Sequence, residues 1–152
     1  MTNTFKIFAI GCLSLLLAAG CERQESVTES QLPAASQTFL QQHFTGIAVA
    51  YATFQVDGLE KKYEVRLANG VEVDFFKNGD WKDVDCGNVQ PVPTAIIPTP
   101  IATYITTHYP AAYISQIQRE TMHLDHYRYE VELNNGLDLF FKNDGSFLRI
   151  DD

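Results

Sequence analysis

Two stretches of the chain alternate apolar and polar residues, and the alternation matches between them. The first stretch begins at Tyr63 and ends at Asp85, and the second begins at Tyr129 and ends at Asp151. They align without a gap at an offset of 66 residues. A period of two is typical of β-strands with one buried face and one solvated face. We therefore predict a meander of antiparallel strands in each stretch.

Glycine turns separate the alternating runs in both stretches. Asn69-Gly70 and Asn135-Gly136 stand at equivalent places, and so do Asn78-Gly79 and Asp144-Gly145. Asn-Gly favours the positive φ angles of a two-residue type I′ hairpin turn. We predict hairpins of this kind at the two Asn-Gly pairs.

The repeat extends upstream at an offset of 65 residues. Proline suits the first turn of a helix, and the pattern predicts helices that begin near Pro33 and Pro98. Each helix carries apolar residues at helical spacing on one face: Phe39, Leu40 and Phe44 in the first, and Ile101, Ile105 and Tyr109 in the second. A first strand is predicted after each helix, at residues 47–56 and 113–121.

The prediction is an α+β fold made of two tandem repeats, each a helix plus a four-stranded antiparallel sheet. The repeats span residues 33–86 and 98–152, and a proline-rich linker spans residues 87–97. About 54 residues bury little core alone. We therefore expect the repeats to pack as one domain, with a continuous sheet and both helices on one face.

The first residues of the chain are typical of a secretory signal. A short basic start precedes an apolar run at residues 7–19, which is too short to span a membrane. Small residues stand immediately before Cys21, which resembles the lipobox of bacterial lipoproteins. We predict a signal at residues 1–20, lipidation of Cys21 and a flexible tether at residues 21–32. An ordinary signal peptidase site at Ala18-Ala19-Gly20 is the alternative, and would leave a soluble periplasmic protein.

Charge excludes some partners. The chain has 19 acidic and 11 basic residues and a formal net charge of −8. Such a surface repels phosphate backbones and anionic headgroups. We predict no nucleic-acid partner, no cofactor and contact with the membrane only through the lipid anchor.

The helix, the Y-x-V-x-L-x-N-G motif and the following glycine turn with its aromatic residue resemble the PepSY-like, beta-lactamase-inhibitor-like repeat of secreted Bacteroidetes-type proteins. The resemblance covers residues 33–151. It implies two α/β repeats that form a curved sheet, whose open face could clasp a partner protein. The family name marks similarity of structure and does not imply that this chain inhibits a beta-lactamase.

Few residues indicate catalysis or metal binding. His123, Asp125 and His126 form a cluster of ligand types, but a polar hairpin loop explains them more simply. His43 and His108 recur in the repeat, which favours a packing role. We interpret Cys86 as a partly buried free thiol. A Cys21–Cys86 disulfide is possible only if Cys21 is not lipidated. No catalytic or metal-ligating residue is predicted.

Two aromatic residues fall out of phase with the buried set. Alternation places Phe76 and Phe140 on the solvated face, which suggests a protein-binding surface; the alternative is that the repeats fold over each other and cover both rings. The candidate face consists of Phe76, Phe140, Glu64, Arg66, Glu72, Asp74, Glu130, Glu132, Asp138 and Lys142.

We predict a non-enzymatic lipoprotein of the cell envelope, either periplasmic or anchored in the outer membrane. Its predicted activity is to bind another envelope protein, of unknown identity, through this face. A periplasmic protein that binds a small ligand or a metal is the second candidate, and a hydrolase is a poor third.

Overall fold

The computed structural model describes residues 23–120 and 128–151. Over these residues the chain forms two α-helices and nine strands, which lie in one antiparallel sheet in chain order. The elements are β1 (Arg23–Val27), α1 (Ala34–His43), β2 (Val49–Asp57), β3 (Glu60–Leu67), β4 (Glu72–Phe76), β5 (Trp81–Asp85), α2 (Thr99–His108), β6 (Ile114–Arg119), β7 (Tyr129–Leu133), β8 (Asp138–Phe141) and β9 (Phe147–Asp151).

The α+β class predicted from the sequence is confirmed. β5 and β6 pair directly, with Val84 opposite Ile117. The sheet therefore continues from the strands that follow α1 into the strands that follow α2. Both of these residues are fully buried, so the junction between the two halves belongs to the core.

The segment predicted as a flexible tether is instead ordered, and that prediction is wrong for residues 23–31. β1 pairs with β2 from Arg23 opposite Val56 to Val27 opposite Ala52. A 3₁₀ turn at Glu29–Gln31 follows, in which the Gln31 side chain accepts a hydrogen bond from the Thr28 backbone N–H. An edge strand with both faces largely solvated needs no apolar alternation, which is why the sequence pattern missed it.

The glycine turns fall where they were predicted, but their geometry differs. In the β3–β4 turn the Leu67 N–H donates to the Val71 carbonyl, and the Gly70 N–H donates back to the Leu67 carbonyl. Gly70, with φ of +93°, is therefore the last residue of a three-residue loop, a G1-bulge geometry rather than the type I′ turn. The β4–β5, β7–β8 and β8–β9 turns repeat the same pair of hydrogen bonds.

Both helices pack on one face of the sheet and share one hydrophobic core. Phe39 of α1 meets Phe75 edge-on at 5.6 Å between ring centroids. Tyr104 of α2 meets Phe141 in the same way, also at 5.6 Å. Each helix therefore rests on the aromatic residue near the end of the equivalent strand.

The segment predicted as a linker, residues 87–97, contributes to this core. Val92 is buried, and its N–H donates to the Ile114 carbonyl at 2.9 Å. Ile96 is buried as well. Within the described range, no helix has both the length and the apolar character needed to cross a membrane.

Candidate functional site

The sheet face opposite the helices carries two rows of side chains, each running across neighbouring strands. Strand pairing fixes both rows, because residues opposite each other in the register point to the same face. From β3 to β9 the first row is Glu64, Asp74, Asp83, Gln118, Glu130, Phe140 and Arg149. The second row is Arg66, Glu72, Asp85, Gln116, Glu132, Asp138 and Asp151.

We call the carboxylate-bearing part of these rows the acidic face. Among the described residues it contains nine carboxylates: Glu64, Glu72, Asp74, Asp83, Asp85, Glu130, Glu132, Asp138 and Asp151. Cations neutralise its two flanks. Arg66 pairs with Glu72, the Lys62 ammonium lies 2.6 Å from an Asp74 carboxylate oxygen, and Arg149 pairs with Asp151.

Asp83 lies at the centre of the acidic face and is the most perturbed of its carboxyls. Its Oδ2 accepts a hydrogen bond of 2.7 Å from the Gln116 amide, while its buried Oδ1 has no partner among the described residues. Burial raises the pKa of Asp83 to about 7, and the charges of Asp74 and Asp85 act in the same direction. A cationic group brought to Oδ1 would be attracted to this carboxyl and would lower its pKa.

Two neighbours of Asp83 on the acidic face are perturbed in the same direction. Burial raises the pKa of Asp74 although Lys62 opposes the change. Burial, followed by the charges of Asp138 and Asp85, raises the pKa of Glu132. The accumulated negative charge therefore destabilises the folded protein in the absence of a positively charged partner.

Phe140 is on the predicted face but is not exposed there. Its side chain is only 5% accessible, and the Arg149 guanidinium lies 3.8 Å from its ring centroid. The prediction of an exposed ring at this position is wrong, because the arginine on the neighbouring strand covers it in a cation–π contact.

Phe76 and Lys142 occupy the end of the sheet where the β4–β5 and β8–β9 turns lie. Phe76 is half-buried and lines a groove with Leu59 and Lys82. Lys142 is exposed in the β8–β9 turn rather than in either row. The structure thus brings the predicted carboxylates and Arg66 together. Phe76, opposite Lys62 in the register, lies on the same face but outside the two rows, and Lys142 lies in the turn.

Asp83 and Asp85 were missed at the sequence level, as were Gln116 and Gln118. Alternation around the buried Val84 would have placed both aspartates on the open face. The pairing of β5 with β6, which puts them beside the two glutamines, has no comparable signal in the sequence.

The model of the PepSY-like, beta-lactamase-inhibitor-like family matches residues 20–71 and 61–149. The chain belongs to this family. As a PepSY-like protein it shares its fold with three solved structures from Bacteroides. One, from Bacteroides thetaiotaomicron, is described as a "putative calcium-regulated periplasmic protein"; it is 39% identical, with a TM-score of 0.78, and the match covers 85% of this chain and 97% of that one.

The other two structures come from Bacteroides vulgatus. One is described as a "putative periplasmic protein" of the DUF2874 family, is 34% identical and has a TM-score of 0.77, with 85% of this chain and 97% of that one covered. The other, a "putative periplasmic protein of unknown function", is 31% identical, with a TM-score of 0.76 and coverages of 86% and 99%. These descriptions support a periplasmic location for this PepSY-like chain. No curated protein matches it significantly.

The remaining sequence candidates have structural roles in this PepSY-like fold wherever they are described. His43 packs against Phe39 at 4.6 Å between ring centroids, and His108 stacks on Tyr104 at 4.1 Å. Cys86 is a buried free thiol whose pKa is raised to about 11 by burial. The cluster at residues 123–126 lies outside the described residues, and the described ones contain no group of three His, Cys, Asp or Glu placed to hold a metal ion.

Proposed function

We propose that this PepSY-like protein is a non-enzymatic lipoprotein of the cell envelope that binds another protein through its acidic face. The observation that carries the proposal is the acidic face itself, which lies on the side of the sheet opposite both helices. The two rows span seven strands, a continuous surface on which a partner segment could lie.

The negative charge of the acidic face favours a positively charged partner. Carboxylates on adjacent strands repel one another, and the raised pKa values of Asp83, Asp74 and Glu132 reflect their burial and this crowding. A partner that brings Lys or Arg side chains to the acidic face relieves this repulsion. The partner segment is therefore basic, and electrostatic attraction accelerates its association.

Anchoring at Cys21 gives the protein its place in the envelope. The lipobox-like sequence supplies the attachment point, and β1 begins only two residues later, at Arg23. The mass of the N-terminal peptide of the processed protein tests this step. A peptide that begins at Cys21 and carries a diacylglycerol supports it, and a free thiol at Cys21 contradicts it.

Capture from envelope extracts tests the binding function. We expect the wild-type chain to retain a specific partner that Glu132→Lys loses, because Glu132 is exposed near the centre of the acidic face. Glu29→Lys is the matched control, since it makes the same charge change beside α1 rather than on the acidic face. Equal retention by both variants contradicts the assignment of the binding surface.

Regulation by calcium is a second candidate, favoured by the description of the Bacteroides thetaiotaomicron structure. The carboxylates of the acidic face are hard oxygen ligands of the kind that calcium takes, and calcium would have to draw them closer together, because no three of the described ones are placed to hold an ion. A rise in melting temperature with calcium, lost in Asp85→Asn, would support this candidate. An unchanged melting temperature would leave the protein-binding proposal as the stronger one.

A further inference from the structure

We propose that one end of the sheet rests on the membrane surface, with Leu59 inserted at the lipid–water interface and lysines facing anionic headgroups. We call this the hairpin end: the end where β1 starts and where the β2–β3, β4–β5 and β8–β9 turns lie. The proposal rests on lipidation of Cys21, and it adds a defined orientation to the anchor.

The start of β1 fixes which end of the sheet lies near the lipid. Arg23 is opposite Val56, immediately before the β2–β3 turn. Only Glu22 separates Arg23 from Cys21. Because two residues reach at most about 7 Å, a lipid on Cys21 brings the membrane within roughly 25 Å of Leu59.

Leu59 is the apolar residue that this arrangement presents to the bilayer. Its side chain is fully exposed at the tip of the β2–β3 turn, although leucine is among the most commonly buried residues. It lines a groove with Phe76 and with two lysines and two glutamates, Lys61, Lys82, Glu60 and Glu120. Apolar tips with lysines around them are typical of surfaces that lie in the headgroup region of a membrane.

Basic residues are concentrated at the hairpin end, although the net charge of the chain is negative. Ten Lys and Arg residues follow residue 20, and all lie in the described part of the chain. Eight of them stand at the hairpin end: Arg23, Lys61, Lys62, Lys77, Lys82, Arg119, Arg128 and Lys142.

The acidic residues are distributed in the opposite way. Those at the hairpin end, among the described residues, are six: Glu25, Asp57, Glu60, Asp80, Glu120 and Asp144. Eight minus six leaves a surplus of two positive charges there, in a chain whose net charge is −8. Lys61, Lys77 and Lys142 are exposed, and a lysine close to an anionic membrane is attracted to it.

This charge distribution allows the hairpin end to contact anionic lipids, which the net charge of the whole chain disfavours. The overall surplus of acid argues against docking on anionic lipids, but electrostatic interactions in solution are screened beyond about 10 Å. The membrane therefore interacts with the nearby hairpin end rather than with the acidic face. In this orientation the acidic face stands clear of the headgroups and remains open to a partner.

An environment-sensitive fluorophore at position 59 tests the proposal directly. The processed, membrane-extracted Leu59→Cys protein is labelled and reconstituted into vesicles rich in phosphatidylglycerol. Lipidation blocks Cys21 and burial shields Cys86, so the label reports on residue 59. We expect emission to rise and shift to shorter wavelength when vesicles are present.

Val89→Cys is the matched control. Val89 is also an exposed apolar residue, but it lies beside Gly70 at the opposite end of the sheet. We expect its label to keep the emission it has in water, and we expect Lys61→Glu with Lys77→Glu to reduce the response at position 59. Equal emission at both positions, or a response at position 89 alone, overturns the proposed orientation.

The mass of the N-terminal peptide separates this proposal from the anchoring on which it rests. A lipid on Cys21 with no response at position 59 overturns the orientation and leaves the anchor standing. A free Cys21 contradicts the anchor. In that case Leu59→Cys is combined with Cys21→Ser before labelling and the protein is added to vesicles from solution, and the absence of a response at position 59 overturns the surface contact as well.

Discussion

The Ser36 hydroxyl donates a hydrogen bond of 3.1 Å to the Gly79 carbonyl, which ties the first turn of α1 to the β4–β5 turn. The contact is tight on the glycine side as well, since a Cβ at Gly79 would lie 2.7 Å from the Pro33 Cβ. The second half repeats the arrangement, with Gly145 against Pro100. The start of each helix thus packs closely against the glycine of the equivalent turn.

We predict that Gly79→Ala destabilises the protein by about 2–4 kcal/mol, because it combines a positive φ of +92° with a clash against Pro33. Gly136→Ala is the control, since Gly136 also has a positive φ but has no atom within 4 Å of an added Cβ. We expect it to cost only about 1 kcal/mol. Chemical denaturation measures both changes. Equal losses would show that the close contact between Gly79 and Pro33 does not contribute to the free energy of unfolding.

Phe140→Ala and Phe76→Ala should have different effects on stability. Phe140 is buried beneath Arg149, and we expect its truncation to lower the free energy of unfolding by about 2 kcal/mol or more. Phe76 is half-buried at the hairpin end, and its truncation should cost less than about 1 kcal/mol. Thermal and urea unfolding of the two variants tests this order, which a larger loss in Phe76→Ala would reverse.

Most of this fold can be predicted from the sequence because the same local patterns occur in both repeats. Alternation identifies the inner face of the strands, as at Val65 and Val131, and glycine identifies the turns. The extra edge strand lacks such a signal, since β1 has four exposed residues out of five and is held mainly by pairing with β2.

The candidate site was predicted less completely, for two physical reasons. Alternation indicates the face on which Phe140 lies, but whether a neighbour covers the ring depends on the side-chain conformation of Arg149. The acidic face also depends on the β5–β6 pairing across a long connection that carries no register information. Asp83 therefore becomes central only when the two halves are placed side by side.

Asp83 should make the protein less stable as the pH rises. Its pKa is raised from an ordinary value of 3.8 to about 7 in the folded state, so the folded protein binds the proton more tightly than the unfolded chain. The resulting stabilisation is full below about pH 4 and is lost as the pH rises through about 7.

Asp83→Asn should remove this dependence. We expect the variant to gain at least about 1.4 kcal/mol relative to wild type between pH 4 and pH 8, since one unit of pKa shift corresponds to that energy. Some pH dependence should remain, because the pKa values of Asp74 and Glu132 are also raised. Parallel stability curves for the two proteins across this pH range would contradict the assignment to Asp83.

Cys86 should be unreactive in the folded protein. It is 1% exposed, and burial raises its pKa to about 11, so little thiolate forms near neutral pH. The processed, lipidated protein should take up no maleimide when native and one equivalent in urea. The mass of the product checks this, and one adduct on the native lipidated protein would show that Cys86 is accessible.

Association with the partner should depend on salt through the acidic face. Glu132 and Asp138 lie opposite each other on neighbouring strands near Asp85, and long-range attraction from such a cluster raises the rate at which a basic partner arrives. We predict that Glu132→Gln with Asp138→Asn slows association several-fold at low salt and changes dissociation little. Because ions screen the attraction, the two proteins should converge as the salt concentration rises. Binding kinetics with the captured partner at a series of salt concentrations measure this. A change confined to dissociation would mean that these carboxylates act by direct contact rather than by attraction at a distance, and an association rate independent of salt would argue against a basic partner.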